Sequence, residues 1–293
     1  MPQSATSGHD LTCSSLFSVE GLVVVVTGGG TGIGLMIAQA FAANGAKVYI
    51  IGRREDILEK TAEQYSADRP GNIIPVQGDV TSKSSIEEIV KHIQQAEGYI
   101  DVLFNNAGIA GPKSQEPGTT ISEKMQNFYD NQDFEDWQKV FNTNVSSAYF
   151  VTLAFLKLLE EGTKRTKGRS SCVINISSIS GLTKWSQNHM SYNASKAAVI
   201  HLTKMMATEF SGLKIRFNSI APGVFPSEMT TEGSDEKNIS SHGKEVDIPA
   251  KRAGDVREMA GTAIYLASQA GMYTNGAILP IDGGFLLAGP SAY

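Results

Sequence analysis

The sequence predicts an α/β fold built on a doubly wound, seven-stranded parallel sheet. Three features lead there. Short runs rich in Val and Ile alternate with longer segments of helical period, several runs are apolar at every position, and a glycine-rich turn joins the first run to the first helix. The runs are Val23–Val26, Val48–Ile51, Ile73–Val76, Val102–Phe104, Val173–Ile176, Ile215–Asn218 and Ala277–Ile281. A run that is apolar throughout suits a strand covered on both faces, as in a parallel sheet. Between the runs, Ile33, Met36, Ile37, Ala40 and Phe41 fall on one helical stripe, and Ile86, Ile89, Val90 and Ile93 repeat the pattern.

The chain has 293 residues, 41% of them hydrophobic, enough to bury a core without disulfides or a partner. One domain is expected over 17–293, preceded by a flexible tail at 1–16 that is rich in Ser, Thr, Gly and Asp. That leader has neither a basic start nor an apolar stretch, so no signal peptide is read there. The net charge of −5 and the scattered Lys and Arg argue against a nucleic-acid partner. No stretch has the roughly 18–20 apolar residues that cross a bilayer. The only cysteines, Cys13 and Cys172, suggest no disulfide framework, which fits a reducing, cytoplasmic setting. Two polar stretches, Gly111–Asp133 and Phe225–Asp247, read as insertions. They are either walls of a substrate crevice or tolerated surface loops.

Thr27-Gly28-Gly29-Gly30-Thr31-Gly32-Ile33-Gly34 follows the first strand and opens the first helix. Glycines there permit a tight turn and a close approach of the backbone to a pyrophosphate, which the helix N-terminus attracts. At the end of the second strand an acidic residue would bind a ribose 2′-hydroxyl and repel a 2′-phosphate. This chain has Gly52, Arg53 and Arg54 instead, and guanidinium groups suit a phosphate. NADP(H) is therefore the expected cofactor, although both arginines could simply coat a solvated helix start. Asp79-Val80 and Asn105-Asn106-Ala107-Gly108 supply polar groups after the third and fourth strands.

Tyr192 and Lys196 stand four residues apart in a helical segment and so share a face. A phenol with its ordinary pKa of about 10 is a poor acid–base group at neutral pH, and a nearby ammonium favours its ionised form. Such a pair is common by chance. Here it is joined by Ser177-Ser178 at the end of the fifth strand, Asn144 in the preceding helix, Pro222-Gly223 after the sixth strand and Asp282-Gly283-Gly284 after the seventh.

With these residues in order, the chain resembles the short-chain dehydrogenase/reductase family over about residues 17–287. Thr27–Gly34 matches the family's TGxxxGxG, Asn105–Gly108 its NNAG, Asn144 its helix asparagine, Ser178 its serine, Tyr192 and Lys196 its YxxxK, and Pro222-Gly223 its PG turn. The resemblance implies a three-layer Rossmann fold and interconversion of a ketone and a secondary alcohol. It makes Tyr192 the general acid or base, Ser178 the donor to the substrate oxygen, Lys196 the ribose ligand that lowers the Tyr192 pKa, and Asn144 the holder of a relay water. The cofactor-binding set becomes Gly28, Thr31, Gly32, Ile33, Gly34, Arg53, Arg54, Asp79, Val80, Asn106, Ala107, Gly108, Tyr192, Lys196, Pro222, Gly223, Val224 and Ser227, with no metal. A homodimer or homotetramer follows from the same resemblance, as does a small carbonyl or alcohol substrate.

Some points depart from the family pattern. Ser178 to Tyr192 spans one residue more than expected, so Ser177 or Ser180 could supply the polarising hydroxyl. Ser227 stands where the family often has Thr, and the glycine turn lacks a basic residue. The stretch Pro222–Met229 looks like β-ketoacyl reductases of the rhamnolipid type and reductases of fungal secondary metabolism. An NAD(H)-dependent alcohol dehydrogenase and a nucleotide-binding sensor or non-redox protein remain the rivals. His9, His92, His189, His201 and His242 show no metal-ligand spacing. His189 and Trp185 could touch substrate, Phe225 and Met229 could wall its pocket, and Met205 and Met206 read as core.

Overall fold

The structure, a computed structural model, describes residues 10–66, 70–114, 118–165, 168–229, 235 and 246–289. Seven strands form one sheet: β1 (Val23–Thr27), β2 (Lys47–Gly52), β3 (Asn72–Gln77), β4 (Val102–Asn105), β5 (Cys172–Ile176), β6 (Arg216–Pro222) and β7 (Ile278–Ile281). Their order is β3-β2-β1-β4-β5-β6-β7, parallel throughout. Every run expected as a strand is one. The helices are α1 (Cys13–Leu16), α2 (Gly32–Ala43), α3 (Glu55–Ser66), α4 (Lys83–Glu97), α5 (Ile121–Met125), α6 (Phe134–Phe141), α7 (Ser147–Arg165), α8 (Met190–Glu209), α9 (Val256–Ala267) and α10 (Phe285–Ala288).

Two cores sandwich the sheet, and alternate strand residues feed them. Val24, Val26, Val48, Ile50, Phe104 and Ile174 pack beneath α2, α3 and α9. Val23, Val25, Tyr49, Ile51, Leu103 and Val173 pack beneath α4, α7 and α8. This is the physical reason the strands show no polar alternation: a period of two delivers side chains to two dry faces. The stripes read from α2 and α4 lie where expected. Ile37 and Phe41 are buried in the first core, and Ile86, Ile89 and Ile93 in the second. Phe41 meets Phe104 edge to face, with ring centroids 5.4 Å apart.

Several features go beyond the sequence reading. The leader carries a helical turn, α1, capped by the Thr12 hydroxyl, which accepts from Ser15 N; residues 1–9 lie outside the described residues. The first insertion holds α5, opened by a Thr120/Glu123 capping box and continued by a π-helical turn at Gln126–Asp130. Of the second insertion, residues 230–234 and 236–245 lie outside the described residues. Met206 is buried as expected, but Met205 is 55% exposed, because successive helical residues point about 100° apart. Cys13 and Cys172 are both free, one exposed and one buried. Among the described residues no helix is long and apolar enough to cross a membrane.

Phe104 lies at the centre of the sheet and is fully buried against Phe41. Phe104→Ala is expected to cost roughly 3–5 kcal/mol of stability through lost burial and a residual cavity. Urea denaturation followed by circular dichroism measures this, and a loss below about 1 kcal/mol would contradict the packing described.

Candidate active site and nucleotide cleft

The carboxyl ends of the strands open into a cleft of about 1430 Å³. It runs from the turn after β1, past Arg53 and Arg54 after β2 and Asp79-Val80 after β3, to Ser178, Tyr192 and Lys196. Strand order reverses between β1 and β4, and in open parallel sheets ligands bind at such a switch point. The turn after β1 uses glycine where geometry demands it. Gly28 and Gly32 have φ of +66° and +54°, in the left-handed region. Thr31 caps α2 through backbone conformation alone, with no side-chain cap bond, so the first-turn N–H groups face the cleft mouth. These features fit a dinucleotide pyrophosphate.

Most of the expected cofactor set lines this cleft, including Thr31, Ile33, Asn106 to Gly108, Pro222, Gly223 and Ser227. Two members do not. Gly34 packs inward, where a Cβ would come 2.2 Å from Gly28 O. Its glycine serves helix packing. Val224 is not among the residues that line the cleft, and its carbonyl accepts from Gly254 N at 2.9 Å. Asp79 lines the cleft, but its Oδ1 accepts from Thr81 N and Oγ1. Those bonds, the hydroxyl first, hold its carboxyl below the usual range.

The catalytic candidates converge from four elements. Tyr192 and Lys196 come from the first turns of α8, Ser178 from the end of β5, and Asn144 from a π-helical turn, Asn142–Ser146, between α6 and α7. Ser178 stands close enough to Tyr192 for its hydroxyl to lower the phenol's pKa, and its Oγ accepts from Ser180 N at 3.1 Å. The neighbouring hydroxyls are engaged elsewhere. Ser177 Oγ donates to Ile220 O at 3.0 Å and accepts from Ser219 Oγ at 2.7 Å, while Ser180 Oγ bonds Gln187 Oε1 at 3.1 Å. The alternatives left open by the one-residue spacing difference are thus occupied structurally, and Ser178 is the serine that faces the phenol.

Electrostatics differ from the sequence expectation at one point. Lys196 is buried, donates from Nζ to Ile176 O at 2.9 Å, and lies 5.6 Å from the Tyr192 ring centroid. Burial pushes its ammonium down to about 8. Tyr192 is shifted up, chiefly by burial, with the neighbouring Ser178 hydroxyl offsetting part of it. Desolvation dominates the phenol's shift, and the expected lowering by Lys196 is not seen in this structure. Asn144 also differs. Its Oδ1 accepts from Ile109 N, and its Nδ2 donates to Ile109 O and Ser195 Oγ, all within 3.0 Å. The side chain is a brace between the β4 loop and α8: both Nδ2 hydrogens and one Oδ1 lone pair are engaged, and the second lone pair is left over.

The loop before α8 is shaped by the first insertion. Ser114 N donates to Asn188 O, Gln132 Nε2 donates to Ser114 Oγ, and Trp137 Nε1 donates to Gln132 Oε1. Gln187 and Asn188 are both left-handed, with φ of 52° and 62°. His189, next in line, stacks its ring edge to face with Tyr192 at 6.4 Å, and burial lowers its pKa. Trp185 is exposed, and Phe225 is buried against Gly254 while still lining the cleft beside Met229. His92 and His201 lie on exposed helix faces; His9 and His242 lie outside the described residues. Glu228 is the residue the sequence reading missed. It pairs with Arg54 across the cleft, and no local signal could have joined two residues 174 positions apart.

Fold and cleft define an α/β protein with a dinucleotide-type site at the switch point of its sheet. The family model for enoyl-(acyl carrier protein) reductase matches residues 28–286. Short-chain dehydrogenase/reductase PhomF of Diaporthe leptostromiformis is 45% identical, over 99% of this chain and all of that one. The rhamnolipids biosynthesis 3-oxoacyl-(acyl-carrier-protein) reductase of Pseudomonas aeruginosa is 34% identical, over 92% of this chain and 98% of that protein. Among solved structures, the Pseudomonas aeruginosa RhlG/NADP active-site complex aligns with a TM-score of 0.78 at 34% identity, over 92% and 98% of the two chains. The chain belongs to the short-chain dehydrogenase/reductase family.

The Lys196 shift has a consequence for stability. The ammonium titrates near 8 when folded and at its ordinary 10.5 when unfolded. Between those values the unfolded chain holds a proton that the folded chain does not, so this group makes stability rise with pH across that window. The gain is of order 3 kcal/mol. Lys196→Met is expected to remove it. Denaturation of both proteins at pH 7.5 and 10 tests this through the change in their stability difference; an unchanged difference contradicts the buried ammonium.

Proposed function

We propose that the protein is an NADP(H)-dependent ketoreductase that converts a ketone to a secondary alcohol through Ser178, Tyr192, Lys196 and Asn144. The observation that carries this reading is the convergence of Ser178, Tyr192 and a buried Lys196 on one cleft with the glycine turn and Arg53–Arg54. Bound NADPH supplies the hydride. The glycine turn and the α2 N-terminus hold its pyrophosphate, and Arg53 with Arg54 receive the 2′-phosphate.

The side chains then handle the oxygen and its proton. Tyr192 Oη and Ser178 Oγ both donate to the substrate carbonyl oxygen, orienting it and stabilising the charge that develops there. Tyr192 gives up its proton to that oxygen. The upward shift of the phenol keeps it protonated at neutral pH, the form that a reductase needs. Lys196 Nζ, close to the ring, stabilises the phenolate left behind and holds the nicotinamide ribose. Asn144 fixes the loop after β4 against α8, so that Gly108 and Lys196 keep their positions; a Cβ at Gly108 would stand 3.1 Å from Asn144 Oδ1.

A 3-oxoacyl or similar substrate of secondary metabolism is the favoured class. The family model, the rhamnolipid-type relative and the cleft wall of Phe225 and Met229 support it. The ion pair between Arg54 and Glu228 favours a second reading, NAD(H) dependence, because it already neutralises one of the two arginines.

NADPH oxidation followed by absorbance across ketones and 3-oxoacyl thioesters tests the assignment. Tyr192→Phe should lower kcat at least about 100-fold. Turnover retained in that variant sinks the catalytic assignment. The reductive rate should fall as pH rises through the Tyr192 pKa, since the phenol must carry its proton. Arg53→Ala should weaken NADPH binding and leave NADH binding unchanged; equal effects on both favour the NAD(H) reading.

A further inference from the structure

Arg54 is not a free cation. Its Nη1 and Nη2 donate to the two carboxylate oxygens of Glu228 at 3.2 and 2.8 Å, a fork-to-fork pairing. Glu228 also accepts from Thr31 Oγ1, in the glycine turn, at 3.3 Å. The segment that carries it is seated on that turn, since a Cβ built at Gly32 would stand 2.9 Å from Ser227 Cβ. Arg54, Thr31 and Glu228 all line the same cleft. A carboxylate from the far end of the chain therefore sits on the guanidinium that follows β2, where a dinucleotide's ribose is bound in sheets of this topology.

We propose that Glu228 determines how strongly the cleft distinguishes a 2′-phosphorylated dinucleotide from an unphosphorylated one, by competing with the 2′-phosphate for Arg54. The proposal rests on the reading of the cleft as an NADP(H) site. A guanidinium fork satisfies one bidentate anion at a time. A 2′-phosphate reaching Arg54 must displace Glu228 or share the site with it against like-charge repulsion. An unphosphorylated ribose makes no such demand and leaves the pair in place. The two side chains are 56% and 38% exposed, so the pair is weak enough to exchange. It discounts the phosphate without shutting it out. Arg53 lines the same cleft, where its charge acts on the Asp79 carboxylate, so a second guanidinium stands beside the exchanging pair. Displacement also releases Glu228 from Thr31.

Calorimetric titration with adenosine 2′,5′-bisphosphate and with 5′-AMP tests this in the full-length protein, with E228Q, R54A and the double variant. E228Q should bind the bisphosphate about three- to tenfold more tightly, with 5′-AMP changed by less than about twofold. In the R54A background, E228Q should have no further effect, and the gain should shrink as salt is raised. If the wild type prefers the bisphosphate but E228Q leaves that preference unchanged, or tightens both probes alike, the competition is overturned and the NADP(H) reading stands. If neither wild type nor E228Q distinguishes the two probes, the NADP(H) reading itself falls, and the proposal falls with it.

Discussion

The site depends on the seam between β1 and β4, where the two halves of the sheet turn away from each other. Parallel strands diverge there at their carboxyl ends, and something must close the gap without filling the cleft. Thr27 Oγ1 accepts from Asn106 N and Ala107 N, both at 3.0 Å, while Asn106 Nδ2 donates to Thr27 O and Gly28 O. One hydroxyl and one amide thus lock the glycine turn to the loop after β4. The clasp is tight: a Cβ at Gly34 would fall 2.6 Å from Asn106 Nδ2. Everything that faces a nucleotide is measured from this seam.

Behind it runs a buried polar ladder. Asn105 Nδ2 donates to Asn175 Oδ1 and Thr152 Oγ1, and Asn175 Nδ2 donates to Thr203 Oγ1. These residues tie β4 and β5 to α7 and α8 in a region where an unpaired amide costs several times what a bonded one gains. The ladder fixes how α8 sits on the sheet, and α8 carries Tyr192 and Lys196. From the other side, Asn144 grips Ile109 and Ser195. Its place in a π-helical turn matters, because the extra residue in that turn separates the registers of α6 and α7, which lie on either side of it. Helix α8 is therefore held by two independent sets of hydrogen bonds, and the burial of the phenol it carries, which keeps its proton on, is a product of that placement.

Much of this was legible in the residues. Runs such as Val23–Val26 announce strands because β-branched side chains without polar alternation fit only a sheet covered on both faces. Ile86, Ile89 and Ile93 announce a helix by spacing alone. The glycine turn and the Tyr192/Lys196 pair could be read because each is local: a few consecutive residues set the backbone or share one helical face. Reading failed where partners were distant. The resemblance favoured Ser178 over Ser177 and Ser180 by its place in the run, but only the folded chain shows Ser177 engaged by Ile220 and Ser219 and Ser180 by Gln187. Gly34 and Val224 belong to nucleotide motifs, yet neither lines the cleft: Gly34 packs on Gly28, and the Val224 carbonyl is bonded to Gly254 N. The leader shows the same limit at short range, since Thr12 caps a helical turn where composition suggested only a tail.

The sequence by itself determined the sheet, its strand boundaries to within a few residues, the helical faces and the family's motifs, because these arise from periodicity and from residues within a turn of each other. Tertiary structure alone decided the charge state and the pairing of the groups that do chemistry. Lys196 is shifted by the dryness of its surroundings, Tyr192 by its confinement, and Arg54 by a carboxylate 174 residues away. Desolvation and Coulomb interaction depend on distance and dielectric in the folded chain, and neither quantity exists until the strands have been brought side by side.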